Sequence, residues 1–303
     1  RVIEWTEDFG IPVVTTWNAM DLLPHAHPLN VGKPGVVALR APNFAIQNCD
    51  LLISVGCRLD KVITAYNPQG FARGAAKVVV DIDPNEIGRN YPVAIGAVAD
   101  LKQALTALLR VARRLCPQGI QRPELVAEMA ANRKAFVDSN QEWVQSNDFP
   151  MTPQRILADL RAALPRDSYI CTDVGWNKNG LAQQYPVYEP GTIFTPGGFA
   201  TMGFGSPAAL GAKIALKDKV VVALTGDGGW GQNPAVLATA RENNIPVIWV
   251  IMNNRAFGTI AGLEKAHYDT TFATVFEVDG ESWSPDYAAI ARAYGIEGIT
   301  VNA

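Results

Sequence analysis

Apolar, β-branched runs alternate with longer amphipathic stretches along the chain, and most of these runs end in glycine or charged residues. In the first part of the chain they predict strands at 11–15, 51–56 and 77–82. Helical patterns lie between and after them, at 43–49 and 101–115. Because strands that alternate with helices favour parallel sheets, this part is predicted to form a Rossmann-like α/β domain.

The same alternation resumes after residue 151. Thr152 and Pro153 predict the start of a helix, because threonine favours the N-cap and proline the first turn. Further patterns predict strands at 168–172, 220–225, 246–252 and 298–301, and helices at 230–243 and 287–294. We therefore expect an α/β protein with two Rossmann-like parallel-sheet domains, at 1–115 and 151–303, joined by a helical linker at 116–150.

Composition narrows the class of protein. The 303 residues are 48% hydrophobic and 18% charged, as in ordinary globular domains. The net charge of −3, without any basic run, argues against a nucleic-acid partner, and no apolar stretch reaches membrane-spanning length. Four scattered cysteines without a CxxC motif are typical of reduced thiols, so a cytoplasmic location is expected.

Two polar segments follow neighbouring strands of the second domain, GDGG at 226–229 and NN at 253–254. The carboxyl ends of parallel strands are where open α/β sheets bind ligands. Gly228 and Gly229 allow a phosphate to approach the main chain, and the N–H groups of the helix that follows favour an anion. This βαβ unit is therefore a candidate phosphate site. Two simple turns on an unrelated nucleotide-binding fold are the alternative.

Oxygen ligands for a divalent cation lie in the same two segments. Asp227 offers a carboxylate, Asn254 a side-chain carbonyl and Ala256 a main-chain carbonyl. Mg²⁺ is commonly held by a few protein oxygens together with phosphate oxygens. Twenty-four residues separate Gly228 from Asn253, which suits one helix and one returning strand. The three oxygen-bearing residues are therefore predicted magnesium ligands.

GDG followed at this distance by NN resembles the thiamine diphosphate signature, and the chain is similar to the acetolactate synthase-like family. The first domain resembles that family's central domain in PVVTT at 12–16, NFAIQNCDLLISVGCRLD at 43–60 and VVVDIDPNEIGRN at 78–90. The resemblance implies thiamine diphosphate and Mg²⁺ as cofactors. The residues that it places at the cofactor in this region are Asp227, Gly228, Gly229, Asn254, Phe257 and Gly258.

A second loop carries the resemblance further. DVGWN at 173–177 is similar to the family's first diphosphate-contacting loop. The likeness implies a cofactor contact for Val174, Gly175, Trp176 and Asn177. Acetolactate synthases commonly have Gln and His where this chain has Trp176 and Asn177, a departure that bears on the substrate more than on the cofactor.

TPGGFATMGFGSPAA at 195–209 resembles the family's SGGLGTMGFGLPAA loop. In the family, the methionine wedges beneath the cofactor and forces it into a V shape, which implies that role for Met202. The resemblance also implies that the main-chain carbonyl of Ala200 accepts a hydrogen bond from the aminopyrimidine. Met202 and Ala200 are thus the catalytic residues expected in this chain. Plain core packing is the alternative for Met202.

Some family members bind FAD in the central domain, so a flavin is a further candidate cofactor. Arg58 follows the second predicted strand, and Asp81 and Asp83 lie at the end of the third, where a dinucleotide would meet them. Flavin-binding members usually continue the GxRxD pattern with an acidic and a basic residue, whereas Asp60 is followed here by Lys and Val. A structural domain without a nucleotide is the alternative.

In the family, a catalytic glutamate comes from an N-terminal pyrimidine-binding domain, usually that of a second subunit. This chain resembles only the central and cofactor-binding domains, so we expect the glutamate to lie outside the chain. We also expect the central domain to be truncated at its N-terminal side and the cofactor-binding domain at its C-terminal side. A second copy or subunit that supplies the pyrimidine-binding domain is the expected partner, in a homodimer or tetramer. The chain alone is expected to be catalytically incomplete.

The activity implied by the resemblance is that of a thiamine diphosphate- and Mg²⁺-dependent transferase or lyase, a carboligase that acts on a 2-oxo acid such as pyruvate. TIAGLEKAHYDTTF at 259–272 departs from the acetolactate synthase pattern and is faintly similar to the cyclic-dione hydrolases that share the fold. A C–C hydrolase of a cyclic 1,2-dione is therefore one alternative. A catalytically incomplete cofactor-binding subunit is the other.

Overall fold

The computed structural model describes residues 1–301. The chain divides into two compact units, Arg1–Asp138 and Ser139–Ala303. Both units combine helices with parallel strands, which confirms the predicted α/β class. The division into domains at 1–115 and 151–303 with a linker between them stays a prediction.

The first unit holds a three-stranded parallel sheet and a separate pair of short parallel strands. Its elements are α1 (Val2–Phe9), β1 (Val13–Val14), β2 (Asn30–Gly32), α2 (Arg40–Asn48), β3 (Leu51–Val55), β4 (Ala76–Asp81), β5 (Ile95–Val98) and α3 (Leu101–Leu115). The three-stranded sheet has the order β3-β4-β5, with the valines of β4 at its centre. Val79 packs in a cluster with Ile46, Ile63, Phe71 and Tyr91. The long helix α4 (Pro123–Gln145) follows and contributes residues to both units.

The second unit contains the segments that carry the candidate chemistry. Its elements are α5 (Pro153–Ala163), β6 (Tyr169–Thr172), α6 (Trp176–Gln184), β7 (Ile193–Phe194), α7 (Gly205–Ala215), β8 (Val221–Gly226), α8 (Asp227–Trp230), α9 (Val236–Glu242), β9 (Ile248–Met252), α10 (Gly258–Tyr268), β10 (Glu277–Val278), β11 (Glu281–Ser282) and α11 (Tyr287–Ala293). The Thr152 side chain accepts a hydrogen bond from the Arg155 N–H at 3.1 Å, so the predicted N-cap of α5 is confirmed.

A parallel sheet of order β7-β6-β8-β9 forms the centre of this unit. Strand β8 is buried over Val221–Thr225, because it lies between two neighbours and under helices. The chain passes from β6 outward to β7 and then returns through α7 to β8 on the other side of β6. The strand order therefore reverses between β6 and β8, and open α/β sheets bind ligands at such a point.

Most of the predicted elements are confirmed with small shifts at their ends, but two predictions are wrong. The helix predicted at 230–243 is broken into α8 and α9, because Pro234 has no N–H to donate and Gly231 is a poor helix former. The segment 298–301 forms no strand, and no strand in the described part of the chain pairs with it. Within residues 1–301 no helix is both long and apolar enough to span a membrane.

Candidate active site

Three neighbouring strands deliver polar residues to one edge of the sheet in the second unit. Asp173 follows β6, Asp227 follows β8, and Asn253 follows β9. The parallel register aligns Thr172 with Leu224, and Gly226 with Met252. The two aspartates therefore lie at the point where the strand order reverses, which is where the sequence predicts a ligand.

Asp227 is buried at this edge, with 3% of its surface exposed. Its Oδ1 accepts a hydrogen bond from the Gly228 N–H at 2.9 Å, whereas its buried Oδ2 has no hydrogen-bond partner within residues 1–301. Burial raises the pKa of Asp227, against the opposing effect of the main-chain N–H groups of Gly228, Arg255 and Ala256. A buried carboxylate oxygen without a partner is costly, and a bound cation would satisfy it.

Asn254 brings its side-chain amide to the same point. One amide position lies 2.9 Å from the Ala256 carbonyl oxygen and 3.2 Å from Asp227 Oδ1. With the nitrogen turned inward, Asn254 donates to both oxygens. With the oxygen turned inward, three oxygens from Asp227, Asn254 and Ala256 converge, an arrangement that a hard divalent cation stabilises. The donor set present here thus fits Mg²⁺, and it is the set that the sequence predicts.

Tyr287 lies close to the carboxylate although the sequence did not single it out. Burial, with a smaller contribution from Asp227, raises the pKa of Tyr287 to about 12. Its ring packs edge-to-face against Trp230 at a centroid distance of 5.2 Å, and Trp230 ends the short helix that Asp227 begins. Helix α11 therefore packs against the turn that presents the carboxylate.

The loop between β6 and α6 faces the loop after β9. Gly175 has a φ of 105°, a conformation that glycine adopts readily, and it allows the chain to turn into α6. A Cβ placed on Gly175 would lie 3.6 Å from Thr259 Oγ1, so the N-termini of α6 and α10 lie near each other. Main-chain N–H groups from two helix N-termini favour a phosphate in the space between them.

Asn177 is nearly buried in this loop, whereas half of Trp176 is exposed. The Asn177 Nδ2 donates to the Val174 carbonyl at 2.9 Å. Its buried Oδ1 has no hydrogen-bond partner among the described residues. A Cβ on Gly226 would lie 3.5 Å from Asn177 Nδ2, so the amide reaches the end of β8 beside the aspartate turn.

Met202 and Phe257 both lie against Gly228 in the glycine turn. A Cβ on Gly228 would lie 2.6 Å from the Phe257 ring and 3.2 Å from Met202 Cε, so only glycine leaves room for both. Gly229 is buried in the same turn, and Gly258 begins α10. The structure therefore brings the predicted methionine, phenylalanine and glycine into one cluster beside Asp227.

Two residues near the site that are not glycine adopt the left-handed backbone conformation, with a positive φ. Ala200 has a φ of 49° and Arg255 a φ of 56°. Such a conformation costs on the order of 1 kcal/mol, and it is concentrated in loops that clamp ligands. Ala200 lies two residues before Met202, and Arg255 lies between Asn254 and Ala256, so the strain falls on predicted site loops.

Asp173 is buried and accepts several main-chain hydrogen bonds, although the DVGWN motif predicted no individual role for it. Its Oδ1 accepts hydrogen bonds from Val174 N–H at 2.9 Å and from Gly203 N–H at 3.1 Å. Its Oδ2 accepts from Gly205 N–H at 2.8 Å. The carboxylate thereby fixes the Met202 loop to the end of β6. The position of an aspartate directly after a buried strand was the available signal.

The predicted flavin residues lie at the carboxyl ends of β3 and β4 in the first unit. Arg58 is exposed. Asp81 is buried and accepts from the Asp83 N–H at 3.0 Å, while exposed Asp83 accepts from the Asn85 N–H at 2.9 Å. Both aspartates thus make local turns. A flavin at this place stays a prediction.

Two family models match the chain. The model described as "Thiamine pyrophosphate enzyme, central domain" matches residues 1–108. The model described as "Thiamine pyrophosphate enzyme, C-terminal TPP binding domain" matches residues 173–303. The second match begins at the buried aspartate and includes the glycine turn and the asparagine pair.

Relatives named as acetolactate synthases align along nearly the whole chain. A probable acetolactate synthase large subunit of Methanocaldococcus jannaschii is 35% identical over 303 residues, which are 98% of this chain and 49% of the relative. The acetolactate synthase isozyme 1 large subunit of Escherichia coli K12 is 30% identical over 303 residues, 100% of this chain and 51% of the relative. The chain thus spans about half the length of the curated relatives that it matches.

The two family-model matches extend over both compact units. The match to the C-terminal TPP binding domain includes every residue of the candidate cation and diphosphate loops. The chain therefore belongs to the acetolactate synthase-like family of thiamine pyrophosphate enzymes.

Proposed function

We propose that the protein to which this chain belongs is a thiamine diphosphate- and Mg²⁺-dependent carboligase or lyase that acts on a 2-oxo acid such as pyruvate. The observation that carries the proposal is the convergence of Asp227, Asn254 and the Ala256 carbonyl at the carboxyl ends of β8 and β9. The names of the relatives, acetolactate synthase large subunits, support the reaction class.

In this proposal the three oxygens would hold Mg²⁺, and the cation would help to bind the diphosphate. The buried Oδ2 of Asp227, which has no hydrogen-bond partner among the described residues, supports a cation there, because ionisation of this carboxyl in the cation-free protein leaves an uncompensated charge. The N-termini of α6 and α10 would bind the diphosphate between them. Its proposed contacts are Val174, Gly175, Trp176, Asn177, Gly228, Gly229, Phe257 and Gly258.

The catalytic groups proposed within this chain are Met202 and the Ala200 carbonyl. Thiamine diphosphate supplies a carbon nucleophile and an electron sink for 2-oxo acid chemistry. Met202, which packs against Gly228, would support the bend of the bound cofactor, and the Ala200 carbonyl would accept a hydrogen bond from the cofactor's amino group. Strain at Ala200 is consistent with a carbonyl held in one fixed direction.

The proposal includes groups from outside this chain. A catalytic glutamate from a pyrimidine-binding domain, on a second copy or subunit, completes the site in a homodimer or tetramer. The length of the relatives, about twice the span matched here, supports such a further domain. A cytoplasmic location is also proposed, supported by four cysteines that remain free thiols.

The experiment is product analysis with the full-length protein, thiamine diphosphate, Mg²⁺ and pyruvate. The expected product is acetolactate, with CO₂ released, and Asp227→Ala is expected to abolish both cofactor binding and turnover while the sheet stays folded. Hydrolysis of a cyclic 1,2-dione without pyruvate turnover would replace this proposal with the hydrolase. Cofactor binding without either reaction would favour a catalytically incomplete subunit.

A further inference from the structure

The loop that carries the Ala256 carbonyl pairs through its main chain with a later segment, residues 274–276. Main-chain contacts join 255–257 to 274–276 in an antiparallel arrangement. They are the Phe257 N–H to the Thr274 carbonyl at 2.8 Å, the Phe276 N–H to the Arg255 carbonyl at 2.8 Å, and a β-bridge between Ala256 and Val275. The direction of the Ala256 carbonyl therefore depends on where 274–276 lies.

One side chain of α10 fixes that segment. Oε2 of Glu264 accepts a hydrogen bond from Thr274 Oγ1 at 2.6 Å and another from the Phe272 N–H at 3.1 Å. Thr274 is buried, with 7% of its surface exposed, and Glu264 is half-buried. The two bonds tie the turn after α10 to the helix, one just before and one at the first of the residues that pair with 255–257.

A second contact between the same two segments involves the aromatic cluster. The rings of Phe257 and Phe276 pack edge-to-face at a centroid distance of 4.9 Å. Phe257 is also the ring that covers Gly228. Displacement of 274–276 would therefore disturb both the Ala256 carbonyl and the ring beside the aspartate turn.

We infer that Glu264 is a positioning residue for the cation site, acting through Thr274 on the main-chain ligand Ala256. The inference rests on the proposed function, since it takes the convergent oxygens to be cation ligands. Groups that orient metal ligands from outside commonly change metal affinity by tenfold or more when they are removed. Glu264 itself touches neither the cation nor the substrate in this scheme.

The geometry separates hydrogen bonding from charge. Both bonds end on a single oxygen of Glu264, so Glu264→Gln keeps an acceptor in place while it removes the carboxylate charge. Glu264→Ala removes both bonds, and Thr274→Val removes one at constant shape. Asp269→Asn is the matched control, because it removes a carboxylate at the end of the same helix, where Asp269 pairs only with Lys265 in the contacts described.

The test measures Mn²⁺ affinity of the full-length protein by electron paramagnetic resonance of the free ion, at saturating thiamine diphosphate. We expect Glu264→Ala to raise the half-saturating Mn²⁺ concentration about tenfold, and Thr274→Val to raise it about threefold. Glu264→Gln and Asp269→Asn should stay close to wild type. The double variant Glu264→Ala/Thr274→Val should be no weaker than Glu264→Ala, because both changes break the same link.

Unchanged Mn²⁺ affinity in Glu264→Ala, alongside lost affinity in Asp227→Ala, would overturn the inference and leave the cation site standing. Equal losses in Glu264→Gln and Glu264→Ala would also overturn it, since the charge rather than the acceptor would then matter. Wild-type affinity in Asp227→Ala would overturn the cation assignment and the inference with it. If Glu264→Ala does not fold, Thr274→Val provides the test. A threefold loss of Mn²⁺ affinity in that variant would support the inference, and wild-type affinity would overturn it.

Discussion

The Asp173 carboxylate accepts a hydrogen bond of 2.8 Å from the main-chain N–H of Gly205, although the two residues lie 32 positions apart in sequence. The same carboxylate accepts from Gly203, and both glycines flank the start of α7 directly after Met202. A single buried side chain thus sets the position of the loop that carries the methionine relative to the end of β6. Asp173 is therefore a structural determinant of the Met202 loop, which belongs to the proposed cofactor site.

Asp173→Asn should therefore loosen the Met202 loop. Each carboxylate oxygen accepts at least one main-chain N–H, so either orientation of the amide would turn its NH₂ towards a donor. We expect the free energy of unfolding to fall by about 2 kcal/mol, the cost of a buried polar mismatch. Urea unfolding of the chain measures this. Asp167→Asn, which removes an exposed carboxylate that pairs with Lys219, is the control and should change little.

Gly228→Ala should displace the ring of Phe257. The added methyl would lie 2.6 Å from that ring, a distance that requires movement, whereas Met202 at 3.2 Å needs only a small shift. We expect a loss of 1–3 kcal/mol, roughly, from overpacking. The double variant Gly228→Ala/Phe257→Ala should recover part of the loss, because the methyl then occupies vacated space. Thermal unfolding of Gly228→Ala, Phe257→Ala and the double variant tests this, because Gly228→Ala should cost less stability when Phe257 is already alanine. An equal cost in both backgrounds would show that the backbone is the obstacle.

The sequence predicted the sheets well because buried parallel strands are continuous apolar runs. Strand β8 and helix α3 begin and end within a residue of their predicted bounds. The convergence of Asp227 with Asn254 was also predictable, since both follow adjacent strands and the carboxyl ends of parallel strands share one edge. Local spacing was sufficient for these features.

Contacts between distant segments were not predictable in the same way. The two donors that Asp173 receives from Gly203 and Gly205 leave no pattern in the sequence, because a main-chain N–H is present at almost every residue. The hydrogen bond from Thr274 to Glu264 depends on how the chain returns after α10, and no periodicity encodes that return. The break between α8 and α9 could have been found from Pro234.

Met202→Ala should separate cofactor binding from catalysis. The side chain packs against Gly228, while the proposed diphosphate contacts belong mainly to other loops. We expect thiamine diphosphate affinity to change less than threefold and kcat with pyruvate to fall at least tenfold, about 1.4 kcal/mol of barrier. Met202→Leu, which conserves volume, should retain most of the rate. A wild-type kcat in Met202→Ala would contradict the wedge role.

Asp227→Asn should stabilise the cation-free protein at neutral pH while it removes the response to Mg²⁺. Burial raises the pKa of Asp227, so ionisation of this carboxyl costs folding free energy above that raised pKa, and the cost disappears as the pH falls through it. The neutral amide avoids the cost. We expect a gain of ~1 kcal/mol in the free energy of unfolding at pH 7, as is common when a functional charge is removed.

In the wild type, Mg²⁺ with thiamine diphosphate at a hundredfold excess over the dissociation constant should add about 2.7 kcal/mol, and in Asp227→Asn nothing. Urea unfolding at neutral and acid pH, with and without these ligands, measures both effects. Asp279→Asn, in the exposed turn between β10 and β11, is the control and should respond to the ligands like the wild type. If the cation-free Asp227→Asn variant were less stable than the wild type at pH 7, the prediction would be contradicted. The carboxylate would then stabilise the fold by itself, without a bound cation.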